Sequence, residues 1–106
     1  MKTKENLMEK IHKELDEFRS NMLLRSKEEI YTNAYEIAMR GEIVCLLETT
    51  TYISDEQATA IHCLADSLGF FYWIWMDWDG DSLKDAIDFA LAEEWKYILV
   101  TEEIEN

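Results

Sequence analysis

The chain has 106 residues, enough for one domain with one core and too few for a catalytic domain plus a regulatory one. Its 23 Asp and Glu against 10 Lys and Arg give a formal net charge of -13 at pH 7, which excludes a basic surface for nucleic acid or anionic lipid. Disorder is excluded as well, because 48% of the residues are hydrophobic and 12% aromatic, more than a chain unable to form a core carries.

The absence of Pro and the presence of only three Gly leave few helix breakers, so an all-α fold is expected: a compact bundle of four to five helices, with residues 1–106 as a single acidic helical domain. The first helix runs from about Thr3 to Leu24, on an apolar stripe of Leu7, Ile11, Leu15, Phe18 and Met22. Ser26-Lys27-Glu28-Glu29 announces a second helix, with Ser26 as cap and Ile30, Ala34, Ile37, Gly41, Val44 and Leu47 or Leu46 as inner face. Gly41 within that stripe points to a close helix crossing or a kink.

Thr49, Thr50 and Thr51 are poor helix continuers and predict a loop. Ser54-Asp55-Glu56-Gln57 is a second capping box, opening a short helix with Ala58, Ile61, Leu64 or Ala65, and Leu68 on its face; Gly69 ends or bends it. After the Asp79-Gly80-Asp81 turn, Ser82 caps a last helix carrying Leu83, Ala86, Ile87, Ala90, Leu91 and Ile98 and holding to about Val100. Ile98-Leu99-Val100-Thr101 also has strand character, so a short terminal strand is the alternative.

Other classes fall away on simple counts. The longest mostly apolar run, Leu68–Met76, is nine residues, against the roughly twenty a membrane span needs. Met1–Lys13 mixes charges of both signs and lacks the apolar stretch of a secretory signal. Cys45 and Cys63 have neither CxxC spacing nor paired His, so buried thiols in a cytoplasmic protein are expected.

Asp77-Trp78-Asp79-Gly80-Asp81 with Asp85 and Asp88 looks like the start of a calcium loop. The glycine, however, stands fourth instead of sixth, and the twelfth position is Asp88 instead of Glu. A solvated acidic turn before a helix N-terminus accounts for these residues without an ion. His12 beside Lys13 and His62 beside Cys63 make no catalytic pair, and no phosphate loop or nucleophile elbow is present. The expectation is therefore no enzyme, no metal and no cofactor.

Two features stand out. Residues 1–65 hold 12 acids and 8 bases, net -4, whereas residues 66–106 hold 11 acids and 2 bases, net -9, so the acid excess belongs mostly to the last 41 residues. Asp81, Asp85 and Asp88 recur at helical steps, and such a surface suits a basic partner. The second feature is Phe70-Phe71-Tyr72-Trp73-Ile74-Trp75-Met76-Asp77-Trp78, six aromatics in nine positions. On a helix Leu68, Tyr72 and Trp75 face the core, while Phe70, Trp73 and Asp77 share another face. That second face is either an interface or the far side of a helix buried all round.

Glu14-Leu15-Asp16-Glu17-Phe18, Ser26-Lys27-Glu28-Glu29-Ile30, Ala34-Tyr35-Glu36, Glu42-Ile43 and Ser54-Asp55-Glu56-Gln57-Ala58 together resemble a family of small acidic proteins of unknown function found on mobile elements of gut Firmicutes. The resemblance covers roughly residues 7–90 and rests on helix caps and core positions. It implies a role in the conflicts of mobile DNA, and small acidic proteins of such elements look like anti-CRISPR inhibitors. The implied partner is a type II CRISPR nuclease or its guide-bound complex, with Asp77, Asp79, Asp81, Asp85 and Asp88 standing in for phosphates in a basic channel and Phe70 and Trp73 as apolar anchors. The alternative is a helical homodimer acting as an adaptor or antitoxin-like regulator of a basic protein, its aromatic face used for self-association.

Overall fold

The computed structural model describes residues 1–49 and 51–98, and they form six α-helices with no strand among them. The first apolar stripe builds α1, Lys4–Leu23, with Leu7, Ile11 and Leu15 buried. Thr3 opens it with a capping box: its hydroxyl accepts from the Asn6 N–H, and the Asn6 side-chain oxygen accepts from the Thr3 N–H.

The single second helix expected from Ser26 onward is two helices, α2 (Lys27–Thr32) and α3 (Ala34–Thr49). Ser26 caps α2 as its position predicts, through the Glu29 N–H. The break falls at Asn33, where side chains compete for the helix's own carbonyls: Thr32 donates to the Glu28 carbonyl at 2.9 Å and Asn33 to the Glu29 carbonyl at 2.7 Å. Helix α3 then passes Gly41 without interruption. A Cβ there would lie 2.9 Å from the Arg19 guanidinium, so the glycine admits a side chain of α1 across the α1–α3 contact.

Ser54 and Gln57 form the predicted capping box of α4 (Asp55–His62). That helix stops at Cys63 instead of reaching Leu68, and α5 (Ser67–Met76) starts four residues later. Gly69 therefore sits in the first turn of α5 rather than at a helix end, where its N–H is capped by the Asp66 carboxylate at 2.9 Å. A Cβ at Gly69 would come within 2.1 Å of that carboxylate.

Two residues of α1, one turn apart, hold this break. Lys10 Nζ donates to the His62 carbonyl and the Ser67 hydroxyl, each at 2.8 Å, and to the Leu64 carbonyl. Glu14 accepts from the Ser67 N–H at 3.0 Å and the Leu68 N–H at 2.9 Å. A cation thus meets the carbonyl end of α4 and an anion the amide end of α5, satisfying the groups each helix leaves unpaired and complementing both dipoles.

Helix α6, Leu83–Phe89, is capped by Ser82 through the Asp85 N–H. The uninterrupted last helix expected to Val100 instead widens into a π-helical turn at Ala90–Glu94 before α geometry resumes at 95–98. Gln57 Nε2 donates to the Leu91 carbonyl at that turn, and its Oε1 meanwhile accepts from the Ser54 N–H of the α4 cap. Ile98 is helical, and the rest of the alternative strand, 99–101, lies outside the described residues.

The core is one cluster in which α1 packs on α3, α4 and α5, and α6 joins through α5; Leu7, Ile11, Ile43, Leu47, Ile61, Leu68 and Phe71 are its most enclosed large side chains. Both cysteines, expected inside, are exposed. Cys45 follows buried Val44 on α3, and adjacent helix positions point about 100° apart. Cys63 stands at the exposed end of α4, its thiol donating to the Ala60 carbonyl. No helix among the described residues is long and apolar enough to cross a membrane.

Candidate functional site

Helix α5 sorts the aromatic run by side. Leu68, Phe71 and Tyr72 are buried in the core cluster. Phe70, expected beside Trp73 as an apolar anchor, is half-buried, packed against that cluster and edge-on to Phe71 with ring centroids 5.1 Å apart. Trp73 stays 58% exposed, with Met76 one turn on at 47%. Trp75, placed in the core by the helical pattern, is half-buried and spends its indole N–H on the Tyr35 hydroxyl at 2.8 Å. The end of α5 is thereby tied to the start of α3.

Asp77 is the C-cap of α5, its N–H donating to the Trp73 and Trp75 carbonyls. Its carboxylate stands at the end of a helix where aligned carbonyls already gather negative partial charge, an unfavourable place for an acid. Asp79 and Asp81 follow in the turn, where the Trp78 indole lies over Gly80: a Cβ at Gly80 would sit 2.8 Å from Trp78 Nε1. Trp78 also meets Phe89 of α6 with centroids 5.4 Å apart, which fixes the turn against that helix.

The acids expected to form one row on the last helix occupy three different settings. Asp81 precedes the Ser82 cap. Asp85 lies in the first turn of α6, where the dipole favours it. Asp88 accepts from Lys84 at 2.8 Å. That hydrogen bond, with the Asp88 charge behind it, raises the Lys84 ammonium above its usual pKa. Lys96, the other base of this part of the chain, lies 3.7 Å from Glu93. Asp77, Asp79, Asp81 and Asp85 are all exposed and have no ion-pair partner among the described residues. No three His, Cys, Asp or Glu side chains among those residues gather as a metal site requires.

Arg40 was not singled out by the sequence pattern, although Glu36, Arg40 and Ile43 recur at steps of four and three along α3. The guanidinium is buried between the rings of Phe18, at 4.7 Å, and Tyr72, at 4.9 Å. Its Nε donates to Glu36 at 2.8 Å, and Nη1 lies 3.9 Å from Asp66. Burial, then the Glu36 charge, pushes the Tyr72 phenol above its usual pKa. This is a positioning cluster: it joins α1, α3 and α5 and so sets the pitch at which α5 presents Trp73.

His12 bridges to Glu48 of α3 at 2.9 Å in an exposed contact. His62 lies beside the α4–α5 break, where burial first, and then the charges of Lys2 and Lys10, lower its pKa. The fold and this surface define a small all-α protein with an acidic, Trp-bearing edge. Comparison of the chain with family models, with curated proteins and with solved structures finds no match.

Proposed function

We propose that this chain is a non-enzymatic binding protein whose acidic edge, Asp77, Asp79, Asp81 and Asp85 with Trp73 beside them, occupies a basic nucleic-acid channel of a partner protein. The partner implied by the sequence resemblance is a type II CRISPR effector nuclease or its guide-bound complex, so the activity is inhibition of an anti-CRISPR kind. One observation carries the reading: the two bases of residues 66–106 are engaged by Asp88 and Glu93, and the four remaining acids of the edge face solvent with no ion-pair partner among the described residues. Carboxylates displayed in this way can meet the Lys and Arg side chains that otherwise hold phosphate. An exposed indole adds apolar contact at the centre of such an interface.

The test is a cleavage assay with guide-loaded nuclease and target DNA across a salt series. The wild-type chain inhibits, and inhibition weakens as salt rises through physiological strength. The triple variant Asp77→Lys, Asp79→Lys, Asp81→Lys abolishes it. Unchanged inhibition by the triple variant removes charge mimicry as the mechanism.

A second reading, a helical dimeric adaptor or antitoxin-like regulator of a basic protein, is favoured by the exposure of Trp73 and Met76 one turn apart on α5. It requires a salt-independent dimer in light scattering that Trp73→Ala dissolves. A monomer under the same conditions removes it.

A further inference from the structure

We propose a second docking surface, separate from the acidic edge: the groove where α1, α2 and α3 meet takes an acidic amphipathic helix of a partner protein. Met22 and Leu23 at the end of α1, Ile30 of α2 and Ile37 of α3 line a groove of about 320 Å³, with Arg19 completing it. Its apolar groups are incompletely covered. Met22, Ile30 and Ile37 are only half-buried, Leu23 is 79% exposed and Leu24 beside it 85%. Helix α2 contributes no buried residue at all, so its apolar position, Ile30, serves the groove more than the core. Large aliphatic side chains left open together mark an interaction surface.

Charge selects the occupant. Arg19 is the one charged side chain in the groove lining, and residues 18–27 carry Arg25 and Lys27 besides, before Glu28 and Glu29 follow on α2. Arg25 is answered by Glu29 at 3.4 Å, whereas Arg19 and Lys27 have no ion-pair partner among the described residues. An apolar floor beside cations suits an apolar stripe flanked by Asp or Glu. A second copy using the same groove would set cation against cation, so self-pairing through this face is opposed. The groove is walled by helices and presents no strand edge, which favours helix-in-groove docking with anchors at i, i+4 and i+7 over strand addition.

The probe is a synthetic helical peptide with Leu at i, i+4 and i+7 and Glu along both flanks, titrated calorimetrically into the full chain. The control peptide carries Lys in place of Glu. The Glu peptide binds one to one and more weakly at high salt, and the Lys peptide does not bind. Leu23→Glu and Lys27→Glu, both at exposed positions and verified as folded by circular dichroism, each weaken the Glu peptide by about tenfold. Asp77→Asn, Asp79→Asn, Asp81→Asn leaves it unchanged, so failure here is distinct from failure of the nuclease assay. Equal binding of both peptides, or affinity indifferent to both groove variants, overturns the proposal. So does a dimer in light scattering that Leu23→Glu dissolves, because the groove then belongs to a second copy.

Discussion

Glu14 on α1 and Asp79 after α5 are both carboxylates in a strongly acidic chain, yet their surroundings differ completely. Glu14 accepts two backbone N–H groups of α5 and lies 3.8 Å from Lys10, which itself binds the end of α4. Asp79 faces solvent with no cation in reach among the described residues. Around Glu14 and Arg40 each charge has protein partners, and the helices take their positions from them. Around Asp79 like charges stand without a cation partner among the described residues, and Asp77 opposes the dipole of its own helix, whereas Asp85 gains from its place in the first turn of α6. The edge therefore contributes far less to folding than the carboxylates that hold helix ends.

The sharpest way to break this contrast is to remove charge where it is built in. Arg40→Ala strands the half-buried Glu36 carboxylate and empties the space between Phe18 and Tyr72, and a loss of about 3–4 kcal/mol is expected in urea unfolding. Arg40→Lys recovers only part of this, because an ammonium lacks the planar fork that both stacks and bonds. Glu14→Ala leaves two α5 amides and Lys10 without their acceptor and costs about 2–3 kcal/mol by the same measurement. Gly69→Ala forces the Asp66 carboxylate away from the α5 cap and costs about 1–2 kcal/mol.

At the acidic edge the expected effects are small in stability and large in binding. Asp77→Asn, Asp79→Asn, Asp81→Asn shifts unfolding by no more than about 0.5 kcal/mol, with Asp77→Asn on the stabilising side. A loss near 2 kcal/mol would erase the distinction between the two regions. The smallest effect belongs to His62. Its folded pKa is lowered, so the unfolded chain takes up the proton first as pH falls. Stability therefore declines as pH drops through the ordinary histidine value of 6.5 and levels off below the folded value. His62→Gln flattens that part of a pH series of thermal melts.

What could be read from the sequence was local. Ser26, Ser54 with Gln57, and Ser82 each cap a helix through an N–H three residues away, and a signal that short survives without tertiary information. The groups that act at the α4–α5 break and the π turn are not local: Lys10 reaches Ser67 across 57 positions, and Gln57 reaches Leu91 across 34. The candidate edge shows the same division. Exposure of Asp77, Asp79, Asp81 and Asp85 follows from their type, whereas the separation of Phe70 from Trp73 needed the core against which Phe70 packs.

The net charge, its concentration after residue 65, the all-α class and the capped helix starts were determined by the sequence alone, because composition, periodicity and three-residue spacings act within a turn or two. The tertiary structure decided where helices stop, which aromatic stays outside and which acids keep a partner. Each of those outcomes depends on side chains brought together from distant parts of the chain, where burial and charge pairing outweigh the propensity of any single segment.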